Sequence, residues 1–138
     1  MCPAEERYVE TQAEPGPTIL LVEDETLLRM SVSEHLRDAG FIVLEAANGS
    51  EAQAVIEAGV KVDLIFSDIN MPVLDGVALA HWVSHLENAP PMLLTSGIAA
   101  VLNSARSACP GVRAFLAKPY PYGEMEAQIR ATLPKRDP

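Results

Sequence analysis

Aromatic residues make up only 5% of this 138-residue chain, with one tryptophan, so the core must be aliphatic; the 49% hydrophobic content can fill one such core and implies one domain. Basic residues are scarce as well. Lys and Arg number 10 against 19 Asp and Glu, a net charge of −9. That field repels phosphate backbones and anionic headgroups, so neither direct nucleic-acid binding nor membrane association is expected. Cysteine is nearly absent: Cys2 and Cys109 share no spacing suited to a disulfide framework or a zinc site, and are read as free thiols of a reducing cytosol. No window approaches the ~18–20 apolar residues of a membrane span, and "MCPAEERYVE" carries acidic charge where a secretory signal needs an apolar stretch. A soluble, cytoplasmic protein is expected.

Residues 1–17 mix charge, proline and glycine without periodicity and are expected to form a flexible arm, followed by a folded domain at 18–134 and a short tail at 135–138. "TILLV" is a short continuous apolar run of the kind that is buried on both faces of a parallel sheet. Leu28, Val32, Leu36 and Ala39 recur at helical spacing before Gly40. The alternation continues: "FIVLEA" as strand, "SEAQAVIEAG" as helix, "VDLIFS" as strand delivering Asp68, "VALAHWVSHL" as helix, "PPMLLTS" as strand, a weakly patterned helix from Gly97, "GVRAFLA" as strand, and Glu124 to Leu133 as the last helix. Strand–helix units repeated five times imply right-handed crossovers and a doubly wound α/β fold with a parallel sheet.

All strand C-termini of such a sheet lie on one edge, and ligands bind in the crevice outside it. Glu23 and Asp24 follow the first strand, Asp68 the third, Thr95 and Ser96 close the fourth, and Lys118 the fifth. Each alone could be a cap or a partner of a helix dipole. Together, crowded carboxylates at the end of a buried sheet call for a bound cation or a raised pKa, and acids, a hydroxyl and an amine form a set suited to handling phosphoryl groups.

Over residues 18 to 133 the sequence resembles the receiver domain of bacterial two-component response regulators, on "ILLVEDE", "DLIFSDINMPVLDG", "LLTSG" and "FLAKPY", four motifs in order, each at a strand end. The resemblance implies a flavodoxin-like (βα)5 fold with strand order 2-1-3-4-5. It implies Asp68 as the residue phosphorylated by a histidine kinase or histidine phosphotransfer protein. Asp24, Asp68 and the backbone carbonyl of Asn70 would hold Mg2+, with Glu23 acting through a coordinated water. Thr95 and Lys118 would contact the phosphoryl oxygens, Phe115 would be a rotating switch aromatic, and Lys118-Pro119 would be cis. The implied output is phosphorylation-dependent protein binding by a signalling module that catalyses its own phosphorylation and dephosphorylation and turns over no external substrate.

Several features depart from that pattern or stand outside it. "IAAVLNSARSACPG" carries a single charge, Arg106, which argues against the charged dimer face of many DNA-binding regulators. The stretch from Asp68 to Thr95 is short, so the third helix or its loop is expected to be trimmed. Gly97 offers no side chain to screen a phosphoryl group from water, which points to fast autodephosphorylation. His81 and His85, four apart, are read as solvated rather than metal-binding, and Trp82 as packing over its helix. Two other readings stay open: an Mg2+-dependent phosphohydrolase, which Asn70 disfavours because a second acid is often found there, and a receiver belonging to a hybrid kinase.

Overall fold

The computed structural model describes residues 15–134. Five strands alternate with five helices: β1 Thr18–Val22, α1 Thr26–Asp38, β2 Ile42–Ala46, α2 Gly49–Glu57, β3 Leu64–Asp68, α3 Gly76–Val83, β4 Met92–Ser96, α4 Ala99–Ala108, β5 Ala114–Ala117 and α5 Tyr122–Thr132. All pairings are parallel and the order is β2-β1-β3-β4-β5, the flavodoxin-like arrangement that the resemblance implies.

The strands read as unbroken apolar runs because side chains alternate between two cores. Ile19, Leu21, Leu64, Phe66 and Leu93 face one core, which Val32 and Leu36 of α1 and Met125 and Ile129 of α5 complete. Leu20, Val22, Ile65, Met92 and Leu94 face the other, closed by Ala52, Leu79, Val83 and Leu102 from α2, α3 and α4. Helix ends follow local chemistry. Asn48 accepts from the Glu51 amide at 2.9 Å while the Glu51 carboxylate accepts from the Ala47 amide at 2.9 Å, a reciprocal start for α2. Asp75 caps α3 through the Ala78 amide at 2.8 Å. Gly40, at φ 101°, ends α1 in the left-handed region.

Several boundaries differ from expectation: β3 begins at Leu64 rather than Val62, β4 at Met92 rather than Pro90 and α5 at Tyr122 rather than Glu124, and two further differences have a clear local cause. Helix α3 stops at Val83 instead of running to Leu86, because the Ser84 hydroxyl and the His85 Nδ1 both bond to the His81 carbonyl, at 2.6 and 2.9 Å. A tight turn follows, in which the Leu86 amide bonds to Val83 O at 3.0 Å, and Leu86 still packs on the core. Strand β5 begins at Ala114 rather than Gly111, since the Val112 amide is used at 3.1 Å to close the turn on Cys109 O. Helix α4 begins at Ala99, two residues after Gly97. Residues 1–14 and 135–138, where most of the expected arm and the C-terminal tail fall, lie outside the described residues. Pro17 is tied in, its carbonyl accepting from the Ile42 amide at 3.0 Å.

Candidate functional site

The strand order places β1 beside β3, and the crevice outside their C-terminal ends is where such sheets bind ligands. Glu23 follows β1 directly, with its amide bonded to Ala46 O at 3.0 Å and its carbonyl held by an Arg29 guanidinium N–H at 2.7 Å. Asp24 comes next and is exposed. Asp68 is the last residue of β3 and pairs in register with Thr95 of β4. Its backbone is clamped on both sides: the Ser67 hydroxyl donates to Asp68 O at 2.9 Å, and the Ile69 amide donates to Thr95 O at 2.9 Å. Gly76 passes so close that a Cβ there would lie 2.4 Å from Asp68 O and 2.8 Å from the Ile69 Cα.

These placements bring Glu23, Asp24 and Asp68 into one cluster, with a carboxylate oxygen from each lying within 4.8 Å of the others. Lys118, just past β5, reaches across the sheet edge. Its ammonium donates to Glu23 Oε1 at 2.7 Å and to Asp68 Oδ2 at 3.2 Å. Burial pushes the Glu23 carboxyl above its ordinary range, against the hydrogen bonds from Lys118 and from the Glu25 amide, with the Asp68 charge adding to the rise. Burial alone would lower the Lys118 ammonium, but the Glu23 hydrogen bond and the charges of Asp68 and Glu23 outweigh it, so its pKa is raised and it stays charged. The Lys118-Pro119 bond is cis, as the resemblance implies.

Thr95 stands at the end of β4, 2% exposed, and its Oγ1 is the one buried side-chain polar atom among the described residues without a hydrogen-bond partner. An unpaired buried hydroxyl is costly, on the order of 1–3 kcal/mol, and this one belongs to the residue in register with Asp68. Asn70 is exposed beyond β3, with its side-chain oxygen accepting from the Ser96 hydroxyl at 2.9 Å. Ser96 also accepts from the Ile98 amide at 3.1 Å. Sequence position alone gives Ser96 no more than a place at the edge. In the structure it ties the β3–α3 loop to the start of α4, a role no spacing announces because the partners are 26 residues apart. Phe115 is not in the crevice: half-buried on the α4 side of β5, it lies under the Arg106 guanidinium, 4.8 Å from ring centroid to Cζ.

Fold and site together define a flavodoxin-like α/β domain with an acidic, oxygen-lined crevice bridged by one lysine. The chain matches the response regulator receiver domain family over residues 19–130, and it belongs to that family, making it a receiver domain of two-component signalling. The transcriptional regulatory protein PrrA of Mycobacterium tuberculosis is 32% identical over 121 residues, which is 88% of this chain and 52% of PrrA. The sensor kinase CckA of Brucella abortus is 32% identical over 137 residues, 97% of this chain but 14% of CckA. Among solved structures, the chemotaxis response regulator CheY4 of Vibrio cholerae has a TM-score of 0.75 at 28% identity, over 86% of this chain and 99% of that one. The chain spans about half the length of PrrA and far less of CckA. No helix among the described residues is long and apolar enough to cross a membrane.

Proposed function

We propose that residues 18–134 act as a phosphoacceptor module in which Asp68 takes a phosphoryl group from the phosphohistidine of a histidine kinase or a histidine phosphotransfer protein. The observation that carries this reading is the unpaired Thr95 hydroxyl standing beside a carboxylate cluster that Lys118 bridges. An Asp68 carboxylate oxygen attacks phosphorus, the P–N bond breaks, and the imidazole leaves with its electron pair and takes up a proton; an acyl phosphate remains. The Lys118 ammonium neutralises charge on the phosphoryl oxygens, and the Thr95 hydroxyl turns to donate to one of them.

The donor set fits a hard cation: carboxylates and a backbone carbonyl, with no imidazole or thiol among the clustered groups. Asp24, Asp68 and the Asn70 carbonyl would hold Mg2+, with Glu23 acting through water, and the bound ion supplies charge neutralisation at the transferring phosphoryl group. Hydrolysis by water resets the acyl phosphate. Gly97 is exposed, and even a Cβ on it would come no nearer the Lys118 side chain than 3.9 Å, so water has an open approach and reset is fast.

Output is phosphorylation-dependent protein binding in the cytoplasm. Movement of Thr95 toward the phosphoryl group vacates space that the Phe115 ring fills, shifting a two-state equilibrium at the α4–β5–α5 surface. The Asn70 side chain is engaged by Ser96 and offers no general acid, which speaks against turnover of an external substrate. The module can serve alone or within a longer chain, as the stretch of CckA that matches it does. Incubation with Mg2+ and acetyl phosphate, followed by intact-mass measurement, tests the reading. The wild type gains one phosphoryl group and Asp68→Asn gains none; a wild type left unmodified overturns it.

A further inference from the structure

A cavity of about 600 Å³ opens at the opposite edge of the sheet, where β4 and β5 begin, remote from Asp68. Its apolar lining includes the buried side chains Val83, Met92 and Cys109, from the end of α3, the first residue of β4 and the turn after α4. The Cys109 thiol is pushed up by burial and then by the Asp75 charge, so that part of the wall stays neutral. His81, His85 and Arg113 also line the cavity. The lining contains no Asp or Glu, in a chain whose net charge is −9.

The three nitrogen-bearing side chains are arranged unequally. The His81 and His85 rings meet edge to face at 5.2 Å, and the His85 Nδ1–H donates to the His81 carbonyl at 2.9 Å, which fixes that ring as a wall. Arg113 has its backbone fixed by a 3.1 Å bond from its amide to Met92 O, and its guanidinium makes no ion pair among the described residues. An exposed, uncommitted guanidinium at the rim of a hollow with mixed polar and apolar walls suits one oxyanion on an apolar body, since a bidentate carboxylate answers the fork and the buried Val83, Met92 and Cys109 take the rest. Cavities of roughly 300–1,000 Å³ are the size that encloses small organic ligands.

We propose that this cavity is a second binding site, for a small amphipathic anion: a carboxylate on a flat apolar body, with Arg113 receiving the carboxylate. The proposal stands independently of phosphorylation at Asp68. The probe is 2-naphthoate, titrated by calorimetry and by amide and indole NMR shifts on the full chain. Saturable binding is expected, with shifts centred on Met92, Arg113 and the indole of Trp82, which neighbours the cavity wall in sequence. Arg113→Gln weakens binding by about tenfold or more, the loss expected for one charge-assisted contact, while 2-naphthalenemethanol binds wild type and variant alike. Ala108→Phe, at an exposed position on the lining, blocks the cavity and abolishes binding, with thermal melts confirming that both variants fold. No saturable binding, shifts centred elsewhere, or undiminished binding by either variant overturns the proposal.

Discussion

Replacing Lys118 by methionine keeps most of the side-chain volume and removes the only cation among the described residues that pairs with the clustered carboxylates. Glu23 and Asp68, with side chains 5% and 8% exposed, then face each other and Asp24 without a paired cation, the Glu25 amide still donating to Glu23 at 3.1 Å. Breaking a fully buried pair costs about 3–5 kcal/mol. Lys118 retains 19% side-chain exposure and Asp24 is open to water, so the expected loss is about 2–3 kcal/mol at neutral pH without metal, or roughly 6–12 °C in Tm for a domain of this size. The pH dependence has a definite sign. A carboxyl whose folded pKa lies above its unfolded value costs stability once it ionises, and Glu23 is already raised above the ordinary 4.5. Without Lys118 it rises further, so the difference between variant and wild type is largest near neutral pH and shrinks as the pH falls toward that value. The wild type shows the complementary limit: the raised Lys118 contributes stability below its ordinary 10.5 and loses it as the pH climbs through its folded value. Thermal melts by circular dichroism in EDTA across this range are the assay. Adding Glu23→Gln should recover part of the loss. A variant as stable as wild type at neutral pH refutes the reasoning that Lys118 balances this cluster.

Other consequences are independent of that ion pair. Thr95→Val keeps the shape of the side chain and removes the unpaired hydroxyl, so urea melts should show unchanged or increased stability, by up to about 2 kcal/mol, while phosphoryl uptake from acetyl phosphate falls. Gly76→Ala drives a methyl against the Asp68 carbonyl and the Ile69 Cα, and should cost about 2–3 kcal/mol in the same melts. With Gly97 leaving the crevice open, the acyl phosphate should decay within minutes in a chase after donor removal; a lifetime of many hours contradicts the open approach.

The strands were legible because burial on both faces writes an apolar run that needs no partner to interpret, and Asp68 stood out by ending one. Helix α4 was harder. Ala99, Ala100, Ser104 and Ala108 pattern weakly, and only Leu102 and Ala105 are buried, so the sequence marks a helix without marking its face. The early stop of α3 depends on two side chains competing for one carbonyl, which composition cannot show. At the crevice, strand-end position was enough to bring Glu23, Asp24, Asp68 and Lys118 together in prediction, since the sheet forces it. The Ser96–Asn70 bond and the unpaired Thr95 hydroxyl are products of side-chain geometry between distant segments and carried no signal in the sequence.

The measurement closest to the central claim locates the phosphoryl group itself. After reaction with acetyl phosphate and Mg2+, borohydride reduces an aspartyl phosphate to homoserine, and peptide mass mapping reads the position. Homoserine is expected at position 68, with none at 24 and a signal lost in EDTA. Homoserine at any other acidic residue, or none anywhere, contradicts it.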